Sequence, residues 1–473
     1  MTQTRFRWVF CQLETLRQCL PQSVLLTLNE LPESLDKTYE RIVMEINRAN
    51  QVHAYRMLQC LAAAIRPLSI AELAELLAFD FNVAKGGIPK LNSDWRWEDH
   101  EEAVLSTCSS LITVIPSHGS PIVQFSHFSV KEYLMSDRLA TSTRDISQYH
   151  IALEDAHTVL AQASLGVLLR DPNVTDSADR ALLAQYAAEH WVTHAQVKNV
   201  ASRVRDGMNR LFDPNKPYFE AWVQLYDADR YTLGKDTSSQ EPGARQVYYA
   251  ALCGFHKVVD HLILTHPWCA SVSGGRSGSA LHAASFAGHL RVVRLLLRRG
   301  VHVDIQDYAG DGPLRSASRS GHCDVVQYLV DNGADVNLKG EGQNTPLNWA
   351  AHGGHVDVVR VLLAHSAEVQ TEDHHGRTPL HDAIWGDDPK GDYPRVVRLL
   401  LENGANVNAR DIHQRTPLHL VPMRPTKLEV LRILLEHGAE VDDEERTPLR
   451  TLMHGEGEIA RLLSEYRSGR VHT

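Results

Sequence analysis

The words Thr345-Pro346-Leu347, Thr378-Pro379-Leu380-His381 and Thr416-Pro417-Leu418-His419 recur along the C-terminal half of this 473-residue chain. Leu281, Leu314, Leu347 and Leu380 are each 33 residues apart, and Leu418 and Leu449 follow at 38 and 31. Each copy has the signature of two short helices. Thr suits the N-cap, Pro the first helical position, and Leu then faces the core. The first helix should end near Gly288, Gly321 or Gly354. The second carries apolar pairs four residues apart, as in Val292-Val293 with Leu296-Leu297 and Val358-Val359 with Leu362-Leu363. Gly300, Gly333, Gly404 and Gly438 read as left-handed helix stops. Polar hairpins such as Asp335-Val336-Asn337 lead to the next copy.

A period of 33 with T-P-L-H resembles ankyrin repeats. Residues 247–266 fit a degenerate first unit that keeps Gly254 and Val258-Val259 in register, and residues 449–466 fit a shortened last one. The count is about seven, over residues 247–467. The fifth unit carries five extra residues near Asp387 to Asp392, placed between its helices.

The first 240 residues have no such period. They predict helices at 31–46, 53–65 and 69–78, a loop over 82–97, and a helix over 98–110. A β-hairpin over 112–125 and a helix capped at Ser129 complete a winged-helix arrangement. Residues 146–230 read as helical, with segments at 151–169, 181–195, 200–212 and 218–226, and 231–246 as the linker. The expected fold is thus mainly α: a winged-helix module over 51–145 with a small β-hairpin, a helical linker region, and an ankyrin α-solenoid.

LPESLDKTYERI (31–42), LQCLAAAIRPLSIAELAELLAFDF (58–81), FSHFSVKEYL (125–134) and YAAEHWVTHAQ (186–196) resemble segments of fungal signal-transduction ATPases of the NACHT class with ankyrin C-termini. By that resemblance, residues 1–50 are the helical tail of an ATPase module that is absent here. No G-x-x-x-x-G-K-[ST] occurs, and Gly234-Lys235-Asp236 lacks both its upstream Gly and its Ser or Thr. Nothing therefore cradles a β-phosphate, and the resemblance carries no ATPase activity to this chain. The chain is either a truncated product or a regulatory half working alone. The resemblance implies a sensor role in intracellular signalling of the innate-immunity type.

Composition excludes other classes. Hydrophobic residues are 43% and charged residues 22%, an ordinary globular balance. The net charge of −10 gives no reason to bind nucleic acid or anionic membrane. No apolar run approaches the roughly 20 residues of a membrane span. Seven scattered cysteines without C-x-x-C read as free thiols in a reducing compartment, cytosolic or nuclear. There is no G-x-S-x-G and no H-E-x-x-H, so no enzyme and no cofactor is expected. His190 and His194 have the i, i+4 spacing of a metal pair but no third ligand, so no metal is expected. Repeat histidines after Leu or Gly read as structural. The helix over 98–110 would be a DNA reader, but Glu98, Asp99, Glu101 and Glu102 would repel phosphate.

The repeat surface is the functional candidate. Five positions after each Leu, a side chain should face the groove, and that track holds Phe286, Arg319, His352, Trp385 and Met423. Hairpin tips add Tyr308, Asp311, His374, His375, Arg377, His413 and Arg415. Aromatic and Arg anchors on a solvent-facing track are what protein interfaces use. The sequence therefore predicts a protein-binding adaptor. The regulatory half of an ATP-gated switch and a winged-helix DNA regulator are the alternatives.

Overall fold

The computed structural model describes residues 35–82, 87–108, 110–117, 119–170, 182–229, 243–275, 278–340, 342–421 and 428–440. The chain divides into two units, Met1–Ala228 and Asp229–Thr473.

In the first unit, helices α1 (Leu35–Met44) and α2 (Gln51–Ala63) precede strand β1 (Leu68–Ser69) and helix α3 (Ile70–Leu77). Then come β2 (Phe79–Asp80), β3 (Lys90–Leu91), α4 (His100–Cys108), β4 (Ile112–Ile115), β5 (Ile122–Phe125) and α5 (Phe128–Leu134). The hairpin expected over 112–125 forms, with Ile112 opposite Phe125. It gains a third strand, because β1 pairs with β5 to give the order β1-β5-β4. This is the winged-helix arrangement. Ser69 and Glu72 close a reciprocal capping box, as read from the sequence.

Three expectations are corrected. The stretch read as a loop over 82–97 contains β3, which pairs antiparallel with β2 through Phe79–Leu91 and Asp80–Lys90. Two residues between Pro89 and Asn92 are too few to show a strand pattern. The cap of α5 is His127 rather than Ser129; its Nδ1 accepts from the Ser129 backbone N–H at 3.2 Å. The single helix expected over 200–212 is two, Val200–Arg203 and Arg205–Leu211, broken where buried Val204 leaves helical geometry at φ −111°.

The helical region packs on this module through buried polar anchors as well as apolar surface. Helices α6 (Asp137–Ala140) and α7 (Arg144–Ser147) lead to α8 (Leu153–Leu168) and α9 (Ala184–Gln196). Glu75 of α3 is buried; its carboxylate takes an ion pair from Arg96 at 2.6 Å and the Leu183 N–H at 2.7 Å. Glu72 is held by Arg66, whose guanidinium also lies 5.0 Å over the Tyr186 ring. Trp191, Phe212, Phe219 and Trp222 form an aromatic core, with the Trp222 indole N–H donating to the Ala188 carbonyl.

The second unit is the solenoid. Its helices, numbered on from α12 (Tyr218–Leu225), are α13 (Ala244–Leu252), α14 (His256–Thr265), α15 (Ala280–Phe286), α16 (Leu290–Arg298), α17 (Pro313–Ser320), α18 (Cys323–Asp331), α19 (Pro346–His352), α20 (Val356–Ala364), α21 (Pro379–Trp385), α22 (Tyr393–Glu402) and α23 (Leu428–Glu436). The first helices of successive repeats stack as one layer and the second helices as another. The sequence leucines Leu281, Leu314, Leu347 and Leu380 are all buried, as are the paired valines. The first unit starts at Ala244, three residues earlier than its sequence signal. In the sixth, the first helix shrinks to a 3-10 turn, Pro417–Leu420. The last-repeat signal at 449–466 lies outside the described residues.

The insertion of the fifth repeat forms the loop between α21 and α22, and the valine stripe at Val396-Val397 stays buried. The glycine stops at 300, 333, 404 and 438 all have φ between +83° and +89°. The equivalent position of the fourth repeat is Ser366, at φ +64°. A side chain there carries the left-handed penalty that glycine escapes. Ser366→Gly is expected to stabilise the protein by about 0.5–1 kcal/mol, read as a rise in the thermal midpoint.

Candidate protein-binding face

Two ladders of ring hydrogen bonds set the register of the repeats. In the first, the residue after the repeat leucine ties its own N-cap to the next hairpin. The Thr378 N–H donates to His381 Nδ1 at 3.1 Å, and His381 Nε2 faces the Arg415 carbonyl at 3.2 Å. His282 does the same between Ser279 and the Asp311 carbonyl. Because Nδ1 accepts from a backbone N–H, Nε2 must carry the proton and donate to the carbonyl, and the ring is neutral. In the fourth repeat Asn348 takes this role: its oxygen accepts from the Thr345 N–H, and its amide donates to the Asp382 carboxyl at 2.7 Å.

The second ladder runs from the start of each second helix to the preceding repeat. His289, His322 and His355 each place Nε2 at 3.0 Å from a carbonyl, those of Leu252, Phe286 and Arg319. The fifth repeat lacks this histidine, and Tyr393 replaces it: its hydroxyl donates to the His352 carbonyl at 3.2 Å and accepts from the Asp388 N–H at 2.7 Å. Glycine makes room for these rings. A Cβ at Gly321, at φ +77°, would come within 2.7 Å of His355 Nδ1. The carbonyls held this way belong to Phe286, Arg319 and His352, three residues of the track read from the sequence.

The hairpin tips are braced from inside. Asp373 Oδ1 accepts the N–H groups of His375 and Arg377, and Oδ2 takes the Arg377 guanidinium. Asp411 repeats this with His413 and Arg415. Both aspartate side chains are completely buried. The Arg415 pair holds the Asp411 carboxyl below its ordinary value, against the opposing effect of burial.

The side chains of the track differ in exposure. Phe286 and Arg319 are half-buried and His352 is exposed. Trp385 is 51% exposed, with Arg377 lying 5.0 Å over its ring. Met423 lies outside the described residues. At the tips, Tyr308 is 63% exposed, and His374, His375 and His413 are exposed, the first two with ring centroids 3.9 Å apart. Asp311 is corrected: it is buried and ion-paired with Arg315, so it braces its hairpin rather than presenting a carboxylate.

The sequence reading missed Trp349, Arg315 and Ile412. Trp349 is half-buried, with the Arg315 guanidinium 4.5 Å and the Arg319 guanidinium 5.1 Å from its centroid. The His352 ring meets it edge-on at 6.2 Å. Its offset of two from the repeat leucine, not five, kept it off the predicted track. Ile412, 58% exposed, follows the tip aspartate just as His374 follows Asp373.

No group of three or more His, Cys, Asp or Glu among the described residues could hold a metal. Both ring nitrogens of His194 are engaged, Nδ1 with His157 and Nε2 with the Tyr186 hydroxyl, each at 2.8 Å.

The profile for ankyrin repeats matches three times, at residues 247–340, 338–411 and 389–471. The profile described as "GPI inositol-deacylase, winged helix domain" matches residues 39–144. The chain is 32% identical over 299 residues to "Azaphilone pigments biosynthesis cluster protein L" of Monascus ruber. That match covers 59% of this chain and 62% of the relative's length. The chain thus carries C-terminal ankyrin repeats and a winged-helix domain of the GPI-inositol-deacylase type.

Burial lowers the protonation of His194, to about 3, and also that of His282, His289 and His381. The unfolded chain binds these protons at the ordinary value near 6.5. Stability is then full above that value and is lost as pH falls below it. Asp382 acts in the opposite sense: burial pushes it up to about 7, so the folded state keeps a proton that the unfolded carboxylate sheds. Several histidines oppose one carboxyl. The thermal midpoint should fall from pH 7.5 to pH 5.5, and fall more steeply in Asp382→Asn; circular dichroism checks both.

Proposed function

We propose that this protein is a non-catalytic adaptor that binds a protein segment across the first-helix face of its ankyrin repeats. The observation that carries the reading is the track itself. Its backbone is fixed by the second ladder, while Trp385, His352 and the Arg-stacked Trp349 offer rigid aromatic and cationic surface. Anchors of this kind lose little conformational entropy on binding.

The winged-helix unit fits a structural or regulatory part better than a DNA reader. Helix α4 starts with exposed Glu101 and Glu102, whose N–H groups are capped by the Asp99 carboxylate. Such a helix end would repel phosphate. The family resemblance adds a sensor role in signalling to this reading; the alternative is that the chain is the regulatory half of an ATP-gated switch. The proposed compartment is the cytosol. No helix among the described residues is long and apolar enough to cross a membrane. Burial pushes the thiols of Cys60 and Cys253 up to about 12, as suits inert cysteines in a reducing environment.

The test is site-specific photo-crosslinking in the full chain. A crosslinker replacing Trp385 should capture a protein partner, and one replacing exposed Arg298 on the outer helix α16 should not. In affinity capture without any crosslinker, Phe286→Ala with Trp385→Ala should lower partner recovery about ten-fold or more while leaving helicity intact. Equal capture from both positions, or capture unaffected by the double variant, contradicts the proposal.

A further inference from the structure

The arginines of this face are unequally matched. Arg315, Arg377 and Arg415 each have a carboxylate, those of Asp311, Asp373 and Asp411. Arg319 has none: among the described residues its guanidinium makes no ion pair, and its contact is the face of Trp349. It is nevertheless half-buried, and it shares that one indole with the Arg315 guanidinium. Burial first, and the Arg315 charge second, disfavour its cationic form, and the Asp311 carboxylate, already paired with Arg315, offsets this only in part. Arg stays charged in proteins, so the cost is borne as an incompletely compensated cation. The Trp349 indole N–H is also buried without a hydrogen-bond partner among the described residues.

The surroundings define what would relieve this. A cleft of about 490 Å³ is lined by Asp311, Arg315, Asn344, Trp349 and His374, and Arg319 adjoins it through the shared indole rather than lining it. Asp311 is already engaged by Arg315. Burial chiefly holds the His352 ring, beside the indole, below its ordinary value, with the Asp387 charge of the insertion loop opposing that shift and the Arg319 charge adding to it. The face therefore holds one surplus guanidinium on an aromatic platform, within a chain of net charge −10. A polyanion such as nucleic acid would meet the acidic insertion and the negative chain as well. A single carboxylate on an extended peptide would meet the unmatched Arg, with the nearby Asp311 already taken up by Arg315.

We propose that Arg319, seated on Trp349, is the receptor for an aspartate or glutamate carboxylate of an extended peptide laid across the third and fourth repeats. This rests on the protein-binding reading and names the chemistry of its partner. A guanidinium already held flat against a ring loses little freedom on pairing and presents its fork to the carboxylate. The Arg319 backbone is separately fixed by His355, so replacing the side chain leaves the ladder intact.

The test uses the full chain and a fluorescein-labelled peptide of neutral residues with a single central Glu, against its Gln counterpart, by fluorescence anisotropy. The Glu peptide should bind, more weakly as salt rises, and the Gln peptide at least about ten-fold more weakly. Arg319→Gln should lose about ten-fold towards the Glu peptide, and Arg319→Lys less. Removing an unmatched cation should leave the thermal midpoint of Arg319→Gln unchanged or higher, whereas Arg315→Gln, which orphans Asp311, should lower it. Equal binding of the two peptides, no binding of either, wild-type binding by Arg319→Gln, or a lowered midpoint in that variant overturns the proposal. If partner crosslinking from position 385 persists in that case, the protein-binding reading stands and only its acidic chemistry falls.

Discussion

The solenoid depends on one recurring bond: a ring N–H or phenol O–H from one repeat donated to a carbonyl at the C-terminal end of the first helix in the repeat before. A helix end leaves its final carbonyls without intrahelical partners, and each must be satisfied from outside. Here the next repeat does it. His289, His322, His355 and Tyr393 supply the donors, and glycine at positions such as Gly321 keeps the approach open. Each bond contributes only about 1 kcal/mol. Its larger effect is geometric, because in a one-dimensional stack each repeat is oriented by its neighbours alone.

That same bond explains why the candidate binding surface lies where it does. The carbonyls it holds belong to residues whose side chains line the first-helix face. The histidines and Asn348 of the other ladder fix the N-terminal ends of the same helices, and the buried aspartates fix the hairpin tips. Both ends of each short helix are thus anchored across repeats, and the aromatic and arginine side chains between them are presented in fixed register. The first unit uses the same economy on a smaller scale, with Glu72 and Glu75 of one short helix tying the winged-helix module to its helical neighbours.

Much of this was legible because it is periodic. The leucine spacing located the first helices from α15 onward, the valine pairs located the second helices, and the repeat histidines proved structural. The insertion was visible as five extra residues between Leu380 and Leu418. What escaped was whatever depends on spatial pairing outside the period. Trp349 meets Arg315 and Arg319 of the previous repeat at offsets unlike those of the leucine track. Tyr393 replaces a histidine only because the insertion loop folds back. Asp311 looks like a tip residue in sequence, yet the Arg315 that buries it lies one helical turn onward. In the first unit, β1 and β3 are two residues long, too short for alternation to register. The positions Trp385, His352 and Tyr308 came from register and are exposed as expected, whereas no sequence signal distinguishes a matched arginine from an unmatched one.

The central claim is that cross-repeat carbonyl bonds make the first-helix face a pre-set recognition surface. The most direct test is the His355→Ala chain, which frees the Arg319 carbonyl without altering any side chain of the face. Its stability and its partner crosslinking from position 385 should be measured together. The account predicts a loss of about 1–3 kcal/mol in stability and a clear fall in crosslinking yield, although residue 355 touches no partner. Unchanged stability with undiminished crosslinking would contradict it.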